Sequence, residues 1–146
     1  MPEHYMEDNW RKPIQKMDIG DKCTTKWRVI SRTDCELFAL LGGDIFSTFL
    51  DPEAAKKKGW KTQLVPGLCT LNIAYGLLMQ CGFIADVIAY MGTKNMQFVA
   101  PVYPGDSIRV ETEVTNKKET EKGWICEYDW KIRNQDQIIV GEGHNM

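Results

Sequence analysis

The pattern of apolar and polar positions changes period along the chain. In the C-terminal part, Ile108, Val110, Thr112 and Val114 alternate with Arg109, Glu111, Glu113 and Thr115. Further on, Trp124, Cys126, Tyr128, Trp130 and Ile132 alternate with Ile125, Glu127, Asp129, Lys131 and Arg133. A period of two with one apolar side predicts antiparallel strands, one face buried and the other wet. Asn134-Gln135-Asp136 reads as a hairpin turn and Ile138 to Gly143 as the returning strand. Tyr103-Pro104-Gly105-Asp106 places Pro and Gly where a type II turn requires them. Earlier in the chain, Leu68, Leu71, Tyr75, Leu78 and Met79 fall near helical spacing, and Ile73 and Leu77 widen the apolar surface. The spacing predicts a long helix from Leu68 to about Gln80, buried on most sides, led in by Pro66-Gly67 and stopped at Gly82.

Shorter elements precede it. Ile19-Gly20-Asp21 suggests a turn and Thr25 to Ile30 a short strand. Thr33-Asp34-Cys35-Glu36 matches a capping box, in which the first and last side chains each satisfy a free backbone N–H. Leu37, Phe38, Leu40 and Leu41 then give a short apolar-faced helix ended by Gly42-Gly43, followed by a loop from Asp44 to Leu50. Asp51-Pro52 opens another short helix, with Glu53 in its first turn and Lys56-Lys57-Lys58 in its last, complementing the helix dipole. Residues 1–18 carry no period and read as an arm; residues 19–146 read as one domain. One buried helix followed by half-wet antiparallel strands predicts an α+β layer, a curved sheet wrapped around a central helix. Such a sheet has edges, and pairing with a second copy is the expected remedy.

Composition narrows the function classes. The chain has 146 residues and a formal net charge of -2, a balance that disfavours nucleic acid as the main partner. A local basic patch for one anionic ligand is compatible with it. The five cysteines are odd in number and form no C-x-x-C pair, which disfavours a disulfide framework or a zinc site. Reduced thiols in a cytoplasmic setting, with no metal and no cofactor, are the expectation. Met1 to Trp10 is polar and acidic, with no signal-like apolar run. The apolar stretch Leu68 to Ile88 is broken by Thr70, Asn72, Gln80 and Asp86, so no membrane span is expected.

Three segments carry a family resemblance. They are Thr33 to Asp44, ending in Gly43-Asp44; Val65-Pro66-Gly67-Leu68-Cys69-Thr70; and Phe98-Val99-Ala100-Pro101-Val102-Tyr103-Pro104-Gly105-Asp106. In order and spacing they resemble the MaoC-like branch of the hot-dog superfamily, which includes (R)-specific enoyl-CoA hydratases and (3R)-hydroxyacyl dehydratases. The resemblance implies a single hot-dog domain that binds an acyl-CoA or acyl-carrier thioester. It also implies that Asp44 serves in proton transfer and that a backbone N–H at Gly67 polarises the thioester carbonyl. A preorganised N–H at a helix N-terminus suits a developing enolate oxygen, and two proton movements call for two titratable groups.

In the family the Gly-Asp step leads into x-N-P-x-H-x-D. Here the chain reads Gly43-Asp44-Ile45-Phe46-Ser47-Thr48-Phe49-Leu50-Asp51, so Phe46 holds the Asn position, Ser47 the Pro position and Phe49 the His position. Phenylalanine cannot transfer a proton. The expected acid–base pair therefore keeps Asp44 and lacks its partner; Ser47, Thr48, His4 and His144 are the candidates to replace it. Phe46 and Phe49 either plug the site or wall a pocket for a bulky acyl group. Cys69 is either a first-turn nucleophile or a small core residue, and Trp60 is a candidate to line a ligand channel. Two function classes stay open. One is a hydratase or dehydratase, with a hot-dog thioesterase as a relative. The other is a non-catalytic thioester-binding or structural subunit, paired with an active homologue. A homodimer or a larger assembly of dimers fits either class.

Overall fold

A computed structural model describes residues 12–146. Among the described residues six strands form one antiparallel sheet: β1 (Lys22–Thr24), β2 (Arg28–Val29), β3 (Thr93–Phe98), β4 (Ser107–Thr120), β5 (Gly123–Asn134) and β6 (Ile139–Asn145). The order across it is β1-β4-β5-β6-β3, with β2 also pairing β4. The helices α1 (Arg32–Gly42), α2 (Ser47–Leu50), α3 (Pro52–Lys57) and α4 (Gly67–Cys81) lie between β2 and β3. This is the α+β hot-dog arrangement expected from the sequence. The residues 1–11 of the expected arm, His4 among them, lie outside the described residues. Its remainder holds a short 3-10 turn, Ile14–Lys16, and Lys117 Nζ donates to the carbonyls of Gln15 and Met17 at 2.7 and 2.8 Å.

The alternating strands bury the face their sequence predicts. Ile108, Val110, Thr112 and Val114 are buried on β4, and Cys126, Tyr128, Trp130 and Ile132 on β5. The two strands pair from Ile108↔Asn134 to Thr120↔Gly123, with one irregularity between Val114 and Asn116. Against this face α4 sets Leu71, Ala74, Leu77 and Leu78, and the two layers share one apolar core. Gly82 terminates α4 in the left-handed conformation (φ 70°), which glycine adopts without a Cβ penalty. The outward side of α4 departs from the expectation of burial on most sides: Leu68 and Met79 are exposed. No helix among the described residues is long and apolar enough to cross a membrane.

Three local readings need correction. The capping box belongs to Ser31 and Asp34, not to Thr33 and Glu36. Ser31 Oγ accepts from the Asp34 N–H at 3.0 Å, and Asp34 Oδ2 accepts from the Ser31 N–H at 2.8 Å. Arg28 Nη2 also donates to Asp34 Oδ1 at 3.0 Å, which selects this box; Glu36 instead takes Arg32 Nε at 2.7 Å. Of the expected strand Thr25 to Ile30 only Arg28–Val29 is strand (β2); β1 ends just before it at Thr24, and between the two the Val110 N–H is taken by Thr25 Oγ1 at 3.0 Å in place of a backbone carbonyl. The expected loop Asp44 to Leu50 contains α2, whose turn is closed by the Asp51 N–H to the Ser47 carbonyl at 2.8 Å.

Candidate functional site

The long helix α4 begins at Gly67 with no side chain capping its N-terminus; Pro66, at the cap position, has none to offer. The first N–H groups of a helix lack intrahelical partners and carry the positive end of its dipole. The preceding residues hold this end in place: the Val65 N–H donates to the Val102 carbonyl at 2.9 Å, and the Cys69 N–H to the Pro66 carbonyl at 2.9 Å. Beside Gly67 lies a cleft of about 280 Å³, bordered by Trp60, Val65, Phe98, Pro101 and Val140. The cleft is largely apolar, and Trp60 lines it as the channel reading suggested. Thr70, one turn into α4, also borders it; its hydroxyl is buried and makes no hydrogen bond among the described residues.

Phe98 gives this end of α4 its shape. A Cβ on Gly67 would stand 2.6 Å from Phe98 Cδ2, and one on Gly141 would stand 3.3 Å from Phe98 Cδ1. The ring therefore rests on two glycines, one on α4 and one on β6. Phe98 opens the third of the family segments, and nothing in that segment assigns it a role. Its glycine partners are the only sequence signal, and they lie far away along the chain.

Asp44, Phe46 and Phe49 sit together between α1 and α3, and the cleft beside Gly67 does not include them. Asp44 is half-buried and makes no hydrogen bond or ion pair among the described residues. Phe46 is 67% exposed and meets Phe49 edge-on, ring centroids 6.3 Å apart. The backbone beneath them is well anchored. The Phe49 carbonyl accepts Gln63 Nε2 at 3.0 Å, and the Thr48 carbonyl accepts the Leu64 N–H at 2.9 Å. Lys58 Nζ donates to Thr48 Oγ1 at 3.0 Å. Gln63 and Leu64 lead directly through Val65 to Pro66-Gly67, so one short strap ties the Asp44–Phe49 segment to the start of α4.

The other candidate groups lie apart from this segment. His144 is on β6, its Nδ1 2.8 Å from Asp129 Oδ1 and its Nε2 3.9 Å from Glu127 Oε1. Cys69 is buried, and burial, followed by the nearby Cys35 and Asp34, pushes its thiol up to about 12. At neutral pH it is a thiol despite its place in the first turn of α4, so a core role fits it better than a nucleophilic one.

Comparison with known proteins agrees with this architecture. The family profile described as MaoC like domain matches residues 15–127. The chain is 34% identical over 113 residues to Protein MaoC of Klebsiella aerogenes, covering 77% of this chain and 33% of that protein. It thus spans about a third of that relative's length. It is 26% identical over 128 residues to the mitochondrial 3-hydroxyacyl-[acyl-carrier-protein] dehydratase of Arabidopsis thaliana, covering 87% of this chain and 74% of that one. Among solved structures, the (R)-hydratase from A. caviae involved in PHA biosynthesis superposes with a TM-score of 0.77 at 26% identity, covering 90% of this chain and 96% of that one.

Proposed function

Because this chain belongs to the MaoC-like domain family, we propose that it binds an acyl thioester of CoA or an acyl carrier protein and adds or removes water across its α,β bond. The uncapped start of α4 beside an apolar cleft is the observation that carries this reading. A thioester carbonyl held there receives the Gly67 N–H, and the helix dipole stabilises the negative charge that grows on its oxygen. Glycine is needed at that position for packing as well, since Phe98 occupies the space of a side chain. Asp44 lies outside that cleft, on the segment that Gln63 and Leu64 tie to the start of α4, and in this reading it is the proton-transfer group. It is half-buried, and no neighbouring cation among the described residues engages its carboxylate.

Phe49 holds the position that matches the family's His, and its ring meets Phe46 edge-on outside the cleft. In this reading the second proton movement passes through water held by Ser47 or Thr48. One specific observation favours the second class of function, a thioester-binding or structural subunit paired with an active homologue. The Phe46–Phe49 pair offers no proton, and Asp44 has no polar partner among the described residues.

The assembly proposed is a pair of copies joined along β3. This strand ends the sheet order, and Met96 and Phe98 on it are exposed together with the nearby Ile88 and Met91. An outer strand with open N–H and C=O groups and apolar neighbours is stabilised by pairing.

The test is to follow loss of the enoyl chromophore with short and medium enoyl-CoA substrates, and binding of the same compounds by calorimetry. Turnover above background with binding supports the enzyme reading. Binding without turnover selects the non-catalytic subunit. No binding of any chain length overturns both.

A further inference from the structure

Two of the five cysteines meet across the fold, remote in sequence from the site above. Cys23 is on β1, at the edge of the sheet, and is fully buried. Cys81 is the last residue of α4 and is partly exposed. Their sulfurs are 3.2 Å apart. A disulfide has an S–S separation of about 2.05 Å, so each sulfur need shift only by roughly 0.6 Å to bond. We propose that Cys23 and Cys81 are an oxidisable thiol pair that closes to a reversible disulfide on reaction with a peroxide, clamping the end of α4 to strand β1.

The chemistry assigns the two sulfurs different parts. Cys81 is the less buried member, and the proposal makes it the one that meets the peroxide. The hydrogen bond from the Cys23 thiol, and then the N–H groups of Phe83 and of Cys81 itself, hold the Cys81 thiol below its usual range against the opposing effect of burial. Its thiolate attacks one peroxide oxygen; the S–O bond forms, the O–O bond breaks, and the leaving oxygen departs as water after taking a proton. The resulting sulfenic acid lies against Cys23. Cys23 sulfur attacks it, the S–S bond forms, the S–O bond breaks, and the hydroxyl leaves with the Cys23 proton as a second water. Two thiols are oxidised by two electrons, and one peroxide is reduced to two waters.

The other three thiols are unsuited to this. Cys35, Cys69 and Cys126 are buried, and none is in hydrogen-bonding contact with another sulfur. Burial, the largest influence on each, raises all three, Cys69 to about 12 and Cys126 to about 11. A pair in which one sulfur is reachable and the second waits in contact with it can form a bond before further oxidation occurs.

The experiment treats the reduced 146-residue chain with hydrogen peroxide, blocks remaining thiols after denaturation, and maps the peptides by mass. The expected product is a linked Cys23–Cys81 peptide, with Cys35, Cys69 and Cys126 fully blocked, and reversal by dithiothreitol. In Cys23→Ser, Cys81 should proceed to sulfinic and sulfonic acids; in Cys81→Ser, Cys23 should stay unreacted. Melting curves establish that each variant folds, and the wild-type map decides the matter if one does not. All five thiols surviving treatment, a linkage to another cysteine, or equal over-oxidation of Cys81 in wild type and Cys23→Ser overturns the proposal.

Discussion

The Phe98 ring lies where a side chain on Gly67 would begin, 2.6 Å from the Cβ that any other residue would place there. A methyl group at that distance forces either the ring or the start of α4 to move. Gly67→Ala is therefore expected to destabilise the fold by about 1–3 kcal/mol, the usual cost of overpacking. On the proposed function it should also weaken thioester binding, because the Gly67 N–H shifts with the helix end. Phe98→Leu in the Gly67→Ala background should recover part of the stability. Chemical denaturation of the two single variants and the double variant measures this coupling; strictly additive losses would show that ring and glycine do not compete for the space.

Asp44→Asn keeps the shape of the side chain and removes its proton chemistry. Turnover of an enoyl-CoA should fall by about two to four orders of magnitude, the scale of a positioned acid–base group, with melting temperature little changed. Phe49→His should raise turnover, since it adds a second proton-transfer group to the segment that carries Asp44. The gain will be modest, because the Gln63 and Cys35 contacts at this position fix the Phe49 carbonyl and supply nothing to orient a ring. Steady-state kinetics of both variants provide the check. Unchanged turnover in Asp44→Asn removes Asp44 from the mechanism.

The capping box at the start of α1 makes a pH-dependent contribution. Partial burial opposes ionisation of Asp34. The Ser31 N–H, the Arg28 guanidinium and the Ser31 hydroxyl outweigh it and hold the carboxyl below the ordinary carboxylate value. A lowered folded-state value stabilises the fold above the unfolded value of about 3.9, and the contribution is lost as pH falls through the folded value. Asp34→Ala is expected to cost about 1 kcal/mol at pH 7, the scale of a capping-box contact. The difference from wild type should shrink steadily below about pH 4. Urea unfolding of both proteins across this range measures it; a gap that stays constant in acid would exclude an ionised Asp34 as its source.

Pairing along β3 predicts a dimer, or a multiple of it, at micromolar concentration by light scattering. Met96→Lys places a charge on the proposed contact, and at an edge strand this opposes association. The variant should shift toward monomer while its far-ultraviolet spectrum is unchanged. A wild-type chain that scatters as a monomer would contradict the assembly.

The alternation on β4 and β5 was sufficient to identify the buried face, because a half-wet strand must place every second residue in the core. Pro66-Gly67 and Gly82 likewise marked both ends of α4, since proline and glycine constrain the backbone locally. The family motifs were legible for the same reason: they consist of turns and helix starts. By contrast, Thr93–Phe98 shows no alternation, and only its pairing to β6 makes it a strand. Both Ser31-x-x-Asp34 and Thr33-x-x-Glu36 fit a capping box in sequence; the Arg28–Asp34 contact across the β2–α1 turn decided between them. The sequence by itself determined β4, β5, α4 and the core face they share. The tertiary structure alone decided that Phe98 covers Gly67, that Gln63 and Leu64 strap the Asp44 segment to α4, and that Cys23 meets Cys81. Each of these joins residues distant along the chain, and such contacts are set by how whole elements pack, which no local pattern encodes.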